Sequence, residues 1–266
     1  MKEKSRVLSK LMGLAVVACV MAMLFGMTTF AANKYTNMAA KKVYTNFDQD
    51  NSITHYYKIN VKSSGLLRFS GFGQYSTAYD TYSRGLTVKL CNSRGKELDS
   101  AYVNADSSYE YSREVSYGVN KGTYMLKVQT SDAFALTYDF KAFKEKSGTS
   151  LKKAVSLKKK KIKYGVVGIG ESGKKVDYYK ITLKKPAKIY LDIQGLSSGS
   201  ISVKVTPAKG IRLSGSAYTS VYNNSRTMKL QTTSGGKLPK GTYYIRVYRA
   251  SKNPKVSGVY ALKWKK

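Results

Sequence analysis

Any chemistry in this chain would have to start from very few groups. It has one histidine, His55, so neither a Ser-His-Asp triad nor a multi-histidine metal site in both halves can be assembled. Its two cysteines are Cys19 and Cys91. Cys19 lies in an apolar N-terminal stretch expected to be removed, which leaves Cys91 without an intramolecular disulfide partner. Cys91 continues an apolar alternation through Leu86, Val88 and Leu90 and reads as a buried, inert thiol. Gly165-Val166-Val167-Gly168-Ile169-Gly170 is glycine-rich, but no helical pattern follows, so no phosphate cradle is expected there. From residue 146 onward the carboxylates are Glu171, Asp177 and Asp192 alone, too few and too scattered for a glycosidase pair, although Asp48, Asp80 and Asp99 leave that chemistry open in the first half. The run Phe47-Asp48-Gln49-Asp50-Asn51-Ser52 spaces carboxylates two apart. It lacks the glycine and distal glutamate of an EF-hand loop and reads as an Asx-rich turn. We expect no catalytic residue, no metal site and no cofactor.

Lysine and tyrosine are what the chain has in quantity. It carries 47 basic and 15 acidic residues, a net charge of +32. Residues 32–145 hold 15 basic and 11 acidic residues, a net of +4, whereas residues 146–266 hold 28 and 3, a net of +25. A field of that size attracts polyanions in a salt-dependent way. A few lysines per strand edge would suffice to block edge-to-edge association, but that role does not account for the near-absence of acids. The candidate polyanion-binding residues are Lys158, Lys159, Lys160, Lys161, Lys184, Lys185, Lys188, Arg246, Arg249 and Lys252. Teichoic acid, an acidic glycan or an anionic lipid would suit them, and nucleic acid would bind only as a non-specific polyanion. Most of the 23 tyrosines suit half-buried strand faces. Tyr75, Tyr79, Tyr82, Tyr218 and Tyr222 sit instead among Ser, Thr, Asn and Gly, and are the candidates for stacking on sugar rings.

These residues must be positioned by strands. From Tyr56 onward the chain alternates apolar and polar residues, broken by Gly, Ser and Asn clusters, which is an all-β signature. Strands are predicted over 56–61, 66–70, 87–92, 110–117, 122–130 and 135–143. The stretch 32–46 reads as a lead-in, and 71–82 as a long tyrosine-rich loop. The pattern then repeats. Tyr56-Tyr57-Lys58-Ile59 returns as Tyr178-Tyr179-Lys180-Ile181, and Thr87-Val88-Lys89-Leu90 as Ser202-Val203-Lys204-Val205. Lys121-Gly122-Thr123-Tyr124 returns as Lys240-Gly241-Thr242-Tyr243, with a positive φ expected at both glycines. After Gly241, Tyr243, Ile245 and Val247 should face a core while Thr242, Tyr244, Arg246 and Tyr248 face outward. We expect two tandem β-sandwich domains, 32–145 and 146–266, with the joint at residues 144–163, whose Lys158–Lys161 run reads as a solvated linker or as lysines flanking the first strand of the second domain.

Residues 1–31 read as a signal peptide. Lys2, Lys4, Arg6 and Lys10 precede an apolar run from Leu11 to Met27, and Thr29-Phe30-Ala31 offers small residues for cleavage before Ala32. Retention of the apolar run as an anchor and lipidation at Cys19, after Val16-Val17-Ala18, are the alternatives. Either would be the protein's one route to a membrane. The expected location is therefore secreted or attached to the cell surface.

The strand motifs Asp177-Tyr178-Tyr179-Lys180-Ile181 and Gly241-Thr242-Tyr243-Tyr244-Ile245-Arg246-Val247, with first-copy counterparts His55-Tyr56-Tyr57-Lys58-Ile59 and Gly122-Thr123-Tyr124-Met125-Leu126-Lys127-Val128, give the chain a resemblance. It resembles two tandem copies of the bacterial pre-peptidase C-terminal domain family over nearly all of the mature sequence. The resemblance implies a jelly-roll-like β-sandwich, usually non-catalytic, attached to secreted proteins and in some members binding polymers or calcium. Two features depart from it. No peptidase precedes the copies here, and His55 stands where the second copy has Asp177, which with the scarcity of acids weakens the calcium binding that the resemblance would imply. The function expected is a non-catalytic binding protein that captures an anionic polymer through its basic second domain. A carbohydrate-binding module using the tyrosines, or a module that binds or inhibits a protein of a secreted protease system, is the alternative.

Overall fold

The structure is a computed structural model and describes residues 35–46, 53–76, 81–103, 114–130, 133–144, 146–207, 210–214 and 217–265 (the backbone alone at 53, 74–76 and 81–84). The expected signal peptide with Cys19, the turn at 47–52 and Tyr79 lie outside these residues.

The described chain is all-β. Its first half contains β1 (Thr36–Asn37), β2 (Tyr44–Asn46), β3 (Ile53–Val61), β4 (Gly65–Ser76), β5 (Thr81–Arg84), β6 (Leu86–Asn92), β7 (Glu97–Val103), β8 (Val115–Val119), β9 (Gly122–Thr130) and β10 (Ala133–Ala142). The second contains β11 (Val155–Ser156), β12 (Ile162–Val167), β13 (Val176–Leu183), β14 (Ile189–Ser197), β15 (Ile201–Thr206), β16 (Tyr218–Val221), β17 (Ser225–Leu230), β18 (Gly241–Arg249) and β19 (Gly258–Trp264). Among the described residues, no helix is long and apolar enough to cross a membrane.

The internal repeat is written in the strand order. One sheet of the first copy runs β1-β3-β9-β6-β7, and its equivalent in the second runs β11-β13-β18-β15-β16. The other runs β2-β10-β4-β5 with β8 also on β4, against β12-β19-β14-β17. Even the short parallel contact at the edge is repeated, with Thr36 opposite Tyr57 and Val155 opposite Tyr179. Those two tyrosines are the ones the sequence repeat aligns. Successive strands from β12 to β15 and from β16 to β19 alternate between sheets, the connection pattern of a jelly roll.

Burial follows the two-residue period of the strands. In β18, Tyr243, Ile245 and Val247 are buried and Thr242, Tyr244, Arg246 and Tyr248 half-buried, as the alternation predicts. The second core joins Tyr179, Ile181, Ile201, Val203 and Ile245 from one sheet to Ile189, Leu191, Ile193 and Leu262 from the other. Gly165 lets β12 pass beneath the Tyr260 ring, which a Cβ there would strike. Gly241 has a positive φ (151°), whereas Gly122 is not among the positive-φ glycines, so that expectation holds in one copy.

Three expectations are corrected by pairing the sequence does not display. The stretch 32–46 is no mere lead-in, since it supplies β1 and β2. Residues 71–82 are not one loop: they span the end of β4 and the start of β5, which form a hairpin with Tyr75 opposite Tyr82. And β7, absent from the strand prediction, pairs with β6 over most of its length. β1, β2, β5 and β7 are edge strands, each paired along one side only.

The chain divides into two compact units. One comprises the described residues up to Asn60 with Arg68–Val115 and Thr123–Asp139; the other comprises Val61–Leu67, Ser116–Gly122 and Phe140–Lys266. The second carries the excess charge.

Candidate polyanion-binding end

In the second sandwich the pairing register brings separate lysine runs to one end. Leu183, the last residue of β13, lies opposite Gly241, the first of β18. Ile189 opens β14 opposite Leu230 at the close of β17, and Ile162 opens β12 opposite Lys263 near the close of β19. The turn before β12 and the turn from β13 to β14 therefore point the same way. The first carries Lys158, Lys159, Lys160 and Lys161; the second carries Lys184, Lys185 and Lys188. All seven are exposed except Lys188, which is half-buried.

Backbone bonds fix these turns. Lys160 adopts a left-handed φ of 61°, its N–H donates to the Trp264 carbonyl at 2.7 Å, and the Lys161 N–H donates to the Lys158 carbonyl at 3.2 Å. Ala187 and Leu238 exchange N–H to carbonyl bonds of 3.0 and 2.9 Å. That exchange carries the β17–β18 connection, with exposed Lys237 and Lys240, to the same end. Exposed Lys265 follows β19 there. These three lysines were missed by the sequence analysis. They stand singly rather than in runs, so only the register reveals them.

Two of the three acidic residues of the second sandwich lie at the other end. Glu171 and Asp177 lie before and at the start of β13, the opposite end of the sandwich. Glu171 is saturated. It accepts from Lys175 Nζ at 2.6 Å, Asn120 Nδ2 at 2.5 Å and the Gly168 N–H at 2.9 Å, and lies 3.6 Å from the Arg249 guanidinium. Asp177 is buried, accepting from Ser147 Oγ at 2.9 Å and Tyr260 OH at 2.7 Å. The Tyr260 hydroxyl also lies 2.9 Å from that of Tyr179. Burial pushes the Asp177 carboxyl above the usual carboxylate range, against the lowering effect of the Tyr260 and Ser147 hydrogen bonds and the Lys175 charge. Asp192, within β14, is nearer the lysines and is tied to Lys265 Nζ at 2.9 Å and Thr227 Oγ1 at 2.7 Å. Burial raises its carboxyl, but those two hydrogen bonds and the charges of Lys265 and Lys263 more than offset it and hold the group low.

Of the ten expected polyanion contacts, seven thus gather at one end and three do not. Arg249 is corrected outright, because at 2 % exposure it cannot meet a polymer. It closes β18 on the inward face, and its Nε donates to the Val256 carbonyl at 2.7 Å, Nη1 to Ser172 at 3.1 Å and Nη2 to Gly168 at 2.5 Å. It is a structural clamp that ties the β12–β13 connection to the β18–β19 connection. Lys252 is exposed, but in the β18–β19 connection at the opposite end. Arg246 is half-buried in mid-strand, opposite Tyr178 and Lys204.

Of the candidate stacking tyrosines, Tyr218 and Tyr222 stand apart, at either end of β16. Tyr75 and Tyr82 are register partners in the first copy. In the second, Tyr218 opens β16 opposite Lys204, its hydroxyl 2.9 Å from both Ser202 Oγ and Ser220 Oγ, and Tyr222 follows β16 at the other end with 51 % exposure. Cys91 is buried, and burial pushes its thiol up, in keeping with an inert residue. Among the described residues no group of three or more His, Cys, Asp or Glu could hold a metal ion.

No family model matches the sequence, and no curated protein does. Solved structures give distant likenesses. The CUB1-EGF-CUB2 domains of rat MASP-1 align over 86 % of this chain and 100 % of theirs, at 7 % identity and a TM-score of 0.25. The corresponding domains of human MASP-1/3 align over 84 % and 98 %, at 7 % identity and 0.24. A putative secreted protein from Eubacterium rectale aligns over 84 % and 73 %, at 9 % identity and 0.24. At those TM-scores they carry no argument about function.

Proposed function

We propose that this is an exported, non-catalytic binding protein of the cell surface or extracellular space, which captures an anionic polymer with the lysine-rich end of its second sandwich. Teichoic acid or an acidic glycan is the ligand class. The observation that carries the reading is the clustering of lysine: three lysine-bearing connections meet at one end, where Asp192 is the one carboxylate nearby, while Glu171 and Asp177 are consumed at the other. Capture works by release of counterions from the polymer as ammonium groups replace them. Exposed lysines on short turns suit an irregular polymer, because each is a rotatable point charge that demands no fixed geometry of its partner. The signal peptide and membership of the pre-peptidase C-terminal domain family belong to the same proposal, supported by the sequence motifs and by the repeated jelly-roll strand order.

The test is retention of the protein on purified cell walls with and without teichoic acid across a salt series. Retention that disappears with the polymer or with salt supports the reading. Retention indifferent to both would overturn it.

A further inference from the structure

The second unit holds a cleft that the lysine-rich end does not use. Its volume is about 400 Å³, within the range of small-ligand sites, roughly 300–1,000 Å³. Its floor is a row across the outer face of the β12-β19-β14-β17 sheet, where register places Tyr164, Ala261, Gln194 and Ser225 side by side. The small Ala261 makes a depression between the Tyr164 ring and the Gln194 amide. Phe143 stands against Tyr164, ring centroids 5.4 Å apart and tilted by 55°. Phe143 in turn packs against the buried cluster of Leu66, Val166 and Val259.

The chemistry of the lining is specific. Tyr164 is 41 % exposed and Leu196 40 %, so apolar surface faces the opening. Asn223 and Asn224 border it, and both spend their carboxamide oxygens on backbone N–H groups, of Ser197 at 2.8 Å and Tyr222 at 3.0 Å. Their NH2 groups remain as donors, beside the Gln194 amide and the Ser225 hydroxyl. None of the eleven lining residues is charged, in a half-chain whose net charge is +25. An anion would have no ammonium group to meet there. An aromatic ring, a shallow apolar floor and a fringe of amides and a hydroxyl match one class of ligand: a pyranose ring, with an apolar C–H face and equatorial hydroxyls.

We infer that this cleft binds a neutral sugar unit of a glycan, with Tyr164 as the stacking platform and Gln194, Asn223 and Asn224 as hydroxyl partners. The site is independent of the lysine-rich end and of the tyrosines singled out from the sequence. It would let one unit hold a neutral glycan and an anionic polymer at separate places.

The experiment is calorimetric titration of the protein with cellotetraose, maltotetraose and the tetramer of N-acetylglucosamine, at about 0.15 M and about 1 M NaCl. At least one should bind equally at both salts. Tyr164→Ala should weaken it about tenfold or more, Tyr164→Phe should stay within about twofold, and Gln194→Ala should weaken it severalfold. Serine at Lys184, Lys185, Lys237 and Lys240 should leave sugar binding unchanged even where polyanion binding is lost, so the two readings fail separately. The inference is overturned if none of the three oligosaccharides binds, if Tyr164→Ala binds as the wild type does, or if binding falls with salt.

Discussion

Ala187 and Leu238 face each other across a pair of backbone hydrogen bonds of 3.0 and 2.9 Å, and through them two connections that lie some fifty residues apart in sequence become neighbours. Lys184, Lys185 and Lys188 on one then stand beside Lys237 and Lys240 on the other. That juxtaposition, rather than the number of lysines, turns a basic composition into a localised positive end. Substitution of Ala187 by proline removes one of the two bonds and should weaken polyanion binding without touching a charge, read as a loss of affinity at constant net charge.

Arg249 should matter for stability and not for capture. Arg249→Met leaves Glu171 with one cation fewer and three carbonyls without their donor, and should cost about 3 kcal/mol or more in chemical denaturation. Arg249→Lys should recover only part of this, because one ammonium cannot span three carbonyls as the planar guanidinium does. At temperatures where the variants remain folded, polyanion affinity should stay within about twofold of wild type.

The buried chain Ser147–Asp177–Tyr260–Tyr179 should show in the pH dependence of stability. Asp177 has its folded-state value raised, chiefly by burial, with Glu171 adding to it and Tyr260, Lys175 and Ser147 opposing. A raised carboxyl binds its proton more tightly folded than unfolded. Its contribution is therefore fully present below the ordinary carboxylate value, about 4, and is lost as pH rises through the folded value. Asp177→Asn should flatten that part of the stability curve in urea melts run from acid to neutral pH. A wild-type curve with the same slope as the variant would contradict this.

Tyr260→Phe tests the same chain from the other side. It removes the Tyr260 hydrogen bond from both the Asp177 carboxylate, which keeps Ser147, and the Tyr179 hydroxyl, and should cost about 1–3 kcal/mol. Gly165→Ala, which drives a methyl into the Tyr260 ring from the neighbouring strand, should destabilise by a similar amount through overpacking, about 1–3 kcal/mol. Both are read as shifts of the denaturation midpoint.

How much of this was legible in the sequence differs by feature. The repeat and the core faces were legible, because period-two alternation puts Tyr243, Ile245 and Val247 on one side whatever the tertiary context. Arg249 continues that same alternation inward, so its burial was open to the same reasoning; its charge led to the opposite expectation. The hairpin at Tyr75 and Tyr82 and the strand Glu97–Val103 carry no apolar period and exist through their neighbours. Lys237, Lys240 and Lys265 could not be grouped with the lysine runs, since what unites them is register between strands distant in sequence. The Tyr164–Ala261–Gln194–Ser225 row was hidden for the same reason, drawn as it is from four strands.

The central claim is tested most directly by the salt dependence of binding to purified teichoic acid, for the wild type and for a variant with serine at Lys184, Lys185, Lys237 and Lys240. The wild type should lose affinity steeply with salt. The variant should bind at least about tenfold more weakly at low salt, with a slope shallower by about one unit for each lysine that touches the polymer. A control with serine at Lys174, Lys252 and Lys255, at the opposite end, removes three charges and should change the slope little. Equal losses in the two variants, charge for charge, would mean that net charge and not the lysine-rich end holds the polymer, and would contradict the account.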